Sequence, residues 1–365
     1  MFWKKKRVYL DTAAGVAGNA SSPHAEGREA KRVLEDARTR IARLLEVQAD
    51  DIVFTSGATE ANALAILGHV RTKPIGSHVL YLPSSHASVV ENMKLLAEEG
   101  YVAEVLPIKN YRVDTVALAN MIRLNTVLVS VDAVCGETGV IWNTREVKQV
   151  IGQKILLHVD ASQAPLTEKM TRAHFGADML TLDISKVSEK RGIGLLVAHR
   201  TIPLEPLFRG GGQERGVRSG SQVPLLAECF ARASARAQAG REVFLKDARA
   251  KRAHLIERIQ NIPNIFIQEG KSQAPNIVSI SLPGRDTDYL LALLDEAGFA
   301  LASRSACETD SEEGSRAVFA LTADIARAKA TLRISWDASI SDRDLKRFAH
   351  VLVKEVAFID STGLR

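Results

Sequence analysis

The chain has 365 residues, 46% of them hydrophobic and 25% charged, and carries a formal net charge of +5. Such a composition belongs to an ordinary soluble protein of about two domains with ample core, and it excludes a disordered chain. Lysine and arginine are interspersed with aspartate and glutamate along helical stretches, the pattern of solvated faces, so no nucleic-acid partner is expected.

The opening stretch "MFWKKKRVYLDTAAG" has a basic cluster with no apolar run behind it, so it does not read as a secretory signal. No run is long enough to span a bilayer, and no membrane association is expected. The three cysteines, Cys135, Cys229 and Cys307, lie far apart, which argues against a disulfide framework and against a structural zinc site. A cytoplasmic setting without a metal is the natural expectation.

In chain order, "REAKRVLEDARTRIARLLEV" places Leu34, Ala37, Ile41, Leu44 and Leu45 at amphipathic-helix spacing. Short apolar runs follow: "DIVFTS", "HVLYLP", "YVAEVLPI", "TVLVSVDAV", "KILLHVDAS", "DMLTLDI" and "IGLLVA", several separated by helical patterns such as "ASVVENMKLLAEEG". Strands buried on both faces and joined by helices predict an α/β fold with a mainly parallel sheet flanked by helices.

Ligands of such sheets bind beyond the C-terminal ends of the strands, so the polar residues after each run are informative. After "DIVF" comes "TSGATEANALAI", a glycine turn entering a helix near Thr59, which suits a phosphate held by backbone N–H groups or, equally, a plain capped helix start. After "HVLYLP" comes "SSHASVV", with His86 at a helix entrance, where a lone histidine is more often structural. After "KILLHV" comes Asp160 in "DASQ", and after "MLTLDI" comes Lys186, 26 residues further on. A lysine and a carboxylate at neighbouring strand ends suit pyridoxal 5′-phosphate (PLP), the lysine binding the aldehyde and the carboxylate keeping the pyridine nitrogen protonated. A surface lysine and a surface aspartate fit those two residues as well.

The motifs "NASSPHAEG", "FTSGATEANALAILG", "SSHASVV", "ETGV", "HVDASQ", "RGGGQERGVRSGS", "SRSAC" and "LRISW" occur in that order. In this series the chain resembles the cysteine desulfurases of the class V aminotransferase superfamily, over nearly its whole length. The resemblance implies a PLP-dependent transferase fold of type I, with a large PLP-binding domain over 14–241. A smaller α+β domain of 1–13 plus 242–365 carries the cysteine loop, and a helix from Val223 to Asn261 connects the two. It implies Lys186 as the Schiff-base lysine, Asp160 as the pyridinium partner, Gln163 as donor to the ring hydroxyl and His86 stacked on the ring. Ala58 and Thr59 would hold the phosphate, with Asp183 and Ser185 at the same end and Ser221 reaching in from the second subunit of a homodimer. Arg333 would bind the substrate carboxylate. Cys307 would take the sulfur of L-cysteine as a persulfide, leaving alanine, for an acceptor such as an iron–sulfur scaffold protein; the polar segment "ACETDSEEGSRAVFAL" suits such a thiol.

The departures from the family pattern gather at the site. The usual Ser-Gly-His-Lys is Asp183, Ile184, Ser185 and Lys186, and the usual Asn-Asn-Glu is Cys135, Gly136 and Glu137. Gln213 replaces a histidine, and Arg304 stands where the family has glycine. An ionised Asp183 facing a phosphate is unfavourable unless it points away, pairs with Lys190 or Arg191, or is protonated. The leading expectation is therefore a cysteine desulfurase. Its alternatives are a divergent member with weakened or lost PLP chemistry acting as a binding or regulatory protein, and a selenocysteine lyase or other class V PLP enzyme.

Overall fold

The structure, a computed structural model, describes residues 7–303 and 314–362, so Arg304 and Cys307 lie outside the described residues. In chain order the strands are β1 (Ile52–Thr55), β2 (His78–Tyr81), β3 (Val102–Val105), β4 (Ile108–Lys109), β5 (Arg112–Val113), β6 (Thr126–Asp132), β7 (Leu156–Asp160), β8 (Met179–Asp183), β9 (Gly194–Ala198), β10 (Phe266–Gln268), β11 (Ile277–Ser281) and β12 (Thr331–Ser335). Each of the seven apolar runs becomes one strand of a single sheet, in the order β1-β9-β8-β7-β6-β2-β3. The neighbours from β8 through β7, β6 and β2 to β3 are parallel. β9 is antiparallel to both β1 and β8, making the sheet mixed, because a short connection after β8 turns the chain straight back.

Alternation within each strand decides which core a side chain enters. In β9, Leu195 and Val197 pack on one face while Leu196 and Ala198 pack on the other; β1 does the same with Ile52 and Phe54 against Val53. The Ala25–Leu45 helix covers the first face with Leu34, Ala37, Ile41 and Leu45, whereas Leu44 of the expected stripe sits half-buried at its edge. His24 caps this helix by accepting from the Gly27 N–H at 3.2 Å.

A second, three-stranded antiparallel sheet has the order β10-β11-β12. Its core joins Val278 and Ile280 to Leu332 and Ile334, and to Leu345, Phe348 and Leu352 of the Asp342–Thr362 helix. The Pro224–Ile259 helix, about 54 Å long at 1.5 Å per residue, contributes Ala227 and Phe230 to the first core and Leu255 and Ile259 to the second. No helix among the described residues is long and apolar enough to cross a membrane.

Candidate active site

The C-terminal ends of β6, β7 and β8 open into a cavity of about 410 Å³. Its walls include Ala58, Thr59, His86, Asp160, Gln163, Asp183, Ser185, Lys186 and Arg333, residues brought together from segments spread over most of the chain. Ser221 is exposed and is not part of this wall within one copy of the chain.

Asp160 ends β7 and is 7% exposed. One of its carboxylate oxygens accepts from the Ser162 N–H at 2.9 Å, and the other from Asn62 Nδ2 at 2.7 Å. Asn62 also donates to Ser88 Oγ at 2.9 Å. Ser88 in turn lies 2.8 Å from His86 Nδ1 and donates its backbone N–H to that same nitrogen at 3.1 Å. Since Nδ1 is an acceptor, the neutral imidazole carries its proton on Nε2. A relay of hydrogen bonds thus fixes His86 relative to Asp160.

Gln163 packs against Gly136, where an added Cβ would stand 3.0 Å from Gln163 Nε2. Arg333, on β12, donates from Nη1 to the Gly136 carbonyl at 3.0 Å, so it joins the second sheet to the cavity wall. Its backbone N–H donates to the Ala302 carbonyl at 2.7 Å. On the far side of the 304–313 segment, Ser315 is fully buried and donates to Glu137 Oε2 at 2.6 Å. Both ends of the segment that contains Cys307 are therefore tied to the rim of the cavity.

Cys135 lines the same cavity but is 1% exposed, and its Sγ lies 3.9 Å from the Ser84 carbonyl. Burial, and then the Glu137 carboxylate, push its thiol up to about 12. Cys229 is half-buried and packs at the edge of the first core.

Asp183, at its unusual position, is held by backbone donors on two sides. The β1–β9 and β8–β9 registers place Thr55, Gly194 and Asp183 side by side across the sheet. Gly194 has no side chain, and a Cβ there would meet the Gly57 carbonyl carbon at 2.5 Å, so the Gly57 turn folds down over this gap. Asp183 Oδ2 accepts the Ala58 N–H at 2.9 Å, and Oδ1 accepts the Ser185 N–H at 2.6 Å. The carboxylate is turned toward the Gly57 turn, and among the described residues no ion pair joins it to Lys190 or Arg191.

The sequence reading did not single out Asn62 or Asp132. Asp132 ends β6 in register with Asp160, is 5% exposed, and accepts from Ser85 Oγ at 2.7 Å. Burial first, and the Asp160 carboxylate second, hold its carboxyl well above the usual range. The available signal was position: Asp132 closes an apolar run as Asp160 does.

The chain is similar to known proteins over most of its length. The Aminotransferase class-V family model matches residues 6–348. Cysteine desulfurase IscS 1 of Archaeoglobus fulgidus is 33% identical over 344 residues, covering 92% of this chain and 88% of that protein. Cysteine desulfurase IscS of Neisseria meningitidis serogroup C is 32% identical over 345 residues, covering 92% and 84%. Among solved structures, a NifS-like protein superposes with a TM-score of 0.86 at 26% identity over 93% of this chain and 92% of its own. DndA from Streptomyces lividans superposes with a TM-score of 0.74 at 29% identity over 89% and 93%. With a fold, a strand-end cavity and a length match of this extent, the chain belongs to the cysteine desulfurase family of class-V aminotransferases.

Proposed function

We infer that this protein is a PLP-dependent cysteine desulfurase, converting L-cysteine to L-alanine and an enzyme-bound persulfide. The observation that carries this reading is the meeting of Asp160, Gln163, His86, Lys186 and Arg333 in one cavity. The donor set fits the ring half of PLP: a carboxylate held by two hydrogen bonds, an amide, an imidazole and an exposed lysine. The phosphate half fits less well, because the Ala58 N–H already serves Asp183. When bound, PLP supplies an electron sink for bond breaking on an amino acid.

Lys186 is the proposed attachment point for the cofactor aldehyde, and Asp160 the partner of the pyridine nitrogen. Gln163 donates to the ring hydroxyl, and His86 offers its imidazole to the ring. Ala58, Thr59 and Ser185 face the phosphate end. Arg333 receives the substrate carboxylate, for which its planar fork is suited. Cys307 accepts the sulfur and passes it to an acceptor protein, with an iron–sulfur scaffold as the proposed recipient. The site belongs to the proposed large domain, 14–241, while Arg333 and Cys307 come from the remainder of the chain.

A homodimer is the proposed assembly. Phe208 and Leu225, 70% and 72% exposed, flank the segment 209–224, and Ser221 lies within that segment without lining the cavity of its own chain. Pairing two copies would cover this apolar surface and allow Ser221 to serve the other copy's phosphate end. The unpaired Cys135 and Cys229 favour a reducing compartment, and the cytoplasm is the proposed one.

The test is chemical. Protein supplied with PLP and L-cysteine should form alanine and sulfide in equal amounts when a thiol reductant is present, and Lys186→Ala should form neither. Normal PLP binding without alanine from L-cysteine would move the protein to another substrate. Absence of PLP binding would move it to the non-enzymatic alternative.

A further inference from the structure

We propose that Asp183 is a built-in occupant of the phosphate cradle, so that this site binds the unphosphorylated pyridine aldehyde nearly as strongly as the phosphorylated one. The inference rests on the cofactor reading above and sharpens it to a ligand preference.

Three features of the chain place the carboxylate there. The Gly57 turn presents the Ala58 N–H at the mouth of the cavity, and Asp183 Oδ2 takes that hydrogen at 2.9 Å. The other oxygen is pinned from its own side by the Ser185 N–H at 2.6 Å. The space that Oδ2 enters is one that a side chain on residue 57 would fill, since a Cβ there would stand 3.3 Å from it. Moving Asp183 aside therefore breaks two charge-assisted hydrogen bonds at once.

A phosphate arriving at the same N–H meets both a donor already in use and a like charge close by. Neither obstacle touches the ring, whose proposed partners Asp160, Gln163 and Lys186 lie elsewhere on the wall. The phosphate arm, which in an open cradle gathers backbone N–H groups, gains little here. Selectivity for the phosphorylated form is lost, while the seat for the ring and its aldehyde is kept.

The experiment titrates wild type, Asp183→Ser and Asp183→Asn with two probes, PLP and 5-deoxypyridoxal, and follows the visible absorbance of the bound aldehyde. 5-Deoxypyridoxal lacks the phosphate arm and cannot close on its own aldehyde. Wild type should bind the two probes within about tenfold of each other. Both variants should bind PLP at least about tenfold more tightly, a change of roughly 1.4 kcal/mol, with the 5-deoxypyridoxal affinity unchanged. The unchanged second probe also shows that the variants fold.

A wild-type preference for PLP of a hundredfold or more, unaltered in both variants, would overturn the inference and leave the cofactor reading intact. Failure of all three proteins to bind either probe would overturn both the inference and the cofactor reading.

Discussion

Ser315 and Glu137, 178 residues apart, are joined by a buried hydrogen bond of 2.6 Å, and this contact fastens the chain just beyond the Cys307 segment to the strand-end cavity. The neighbouring Arg316 reinforces it by donating to the Ser85 carbonyl at 2.7 Å, and Ser85 in turn donates to Asp132. The cavity wall and the start of the Arg316–Thr322 helix therefore behave as one unit.

Replacing Ser315 by alanine removes a donor from a buried carboxylate, and the expected loss of stability is about 1–3 kcal/mol. Alanine formation should fall about tenfold in kcat if the segment carrying the proposed nucleophile Cys307 loses this anchor. The PLP affinity should stay unchanged, because Ser315 is not part of the cavity wall. Thermal denaturation with steady-state kinetics checks this. A variant that lost PLP binding in proportion to kcat would contradict it.

Cys135 is the rival of Cys307, the proposed nucleophile, and its own surroundings argue against that role. Burial and the nearby Glu137 carboxylate push it up to about 12, so at neutral pH it is a thiol and a poor nucleophile. Cys135→Ser should retain most alanine formation, whereas Cys307→Ser should abolish it while keeping the cofactor absorbance. Alkylation at neutral pH followed by mass spectrometry should leave Cys135 unlabelled in the folded protein. Labelling of Cys135, or survival of turnover in Cys307→Ser, would reassign the nucleophile.

Much of this architecture was legible in the sequence, for a physical reason. Runs such as "TVLVSVDAV" are long enough and apolar enough to be buried strands, and the residues closing them, Asp160 and Lys186, could be placed at the cavity without coordinates. Direction was not legible: β9 is buried on both faces, and such a run looks the same whether it lies parallel or antiparallel to its neighbours. Asn62 was hidden inside a helix, because only the packing of that helix against Ser88 and Asp160 reveals its side chain as a link. The orientation of Asp183 depended on a neighbour in space, Gly194, that is 11 residues away in sequence.

Asp132 gives a pH-dependent prediction. Its carboxyl titrates well above the usual range in the folded chain, so the native state holds a proton that the unfolded chain releases earlier as pH rises. Wild type therefore loses stability from the ordinary carboxylate range upward. Asp132→Asn keeps the acceptor for Ser85 and has no proton to lose, so its advantage in Tm should be absent in acid and grow toward neutral pH. Melting curves across that range test the sign. A Tm difference independent of pH would show that Asp132 is not held in its neutral form.

The Gly-rich segment depends on a buried ion pair. Arg38 Nη1 and Nη2 donate to the two oxygens of Glu214 at 2.8 Å each, and the Phe54 N–H donates to Oε2 at 2.9 Å, holding the segment against β1. Glu214→Ala removes the buried partner of Arg38 and leaves it only Glu35 and the Ile52 carbonyl, which should cost about 3–5 kcal/mol. Equilibrium unfolding in urea measures this, and a loss below about 1 kcal/mol would contradict it.

The central claim is that the strand-end cavity holds the cofactor through Lys186. The most direct measurement is the visible absorbance of purified protein titrated with PLP, compared with Lys186→Ala. The account predicts a saturable band in the wild type and none in the variant, with the fold of both unchanged by circular dichroism. A band of equal strength in Lys186→Ala, or none in wild type at saturating PLP, would contradict it.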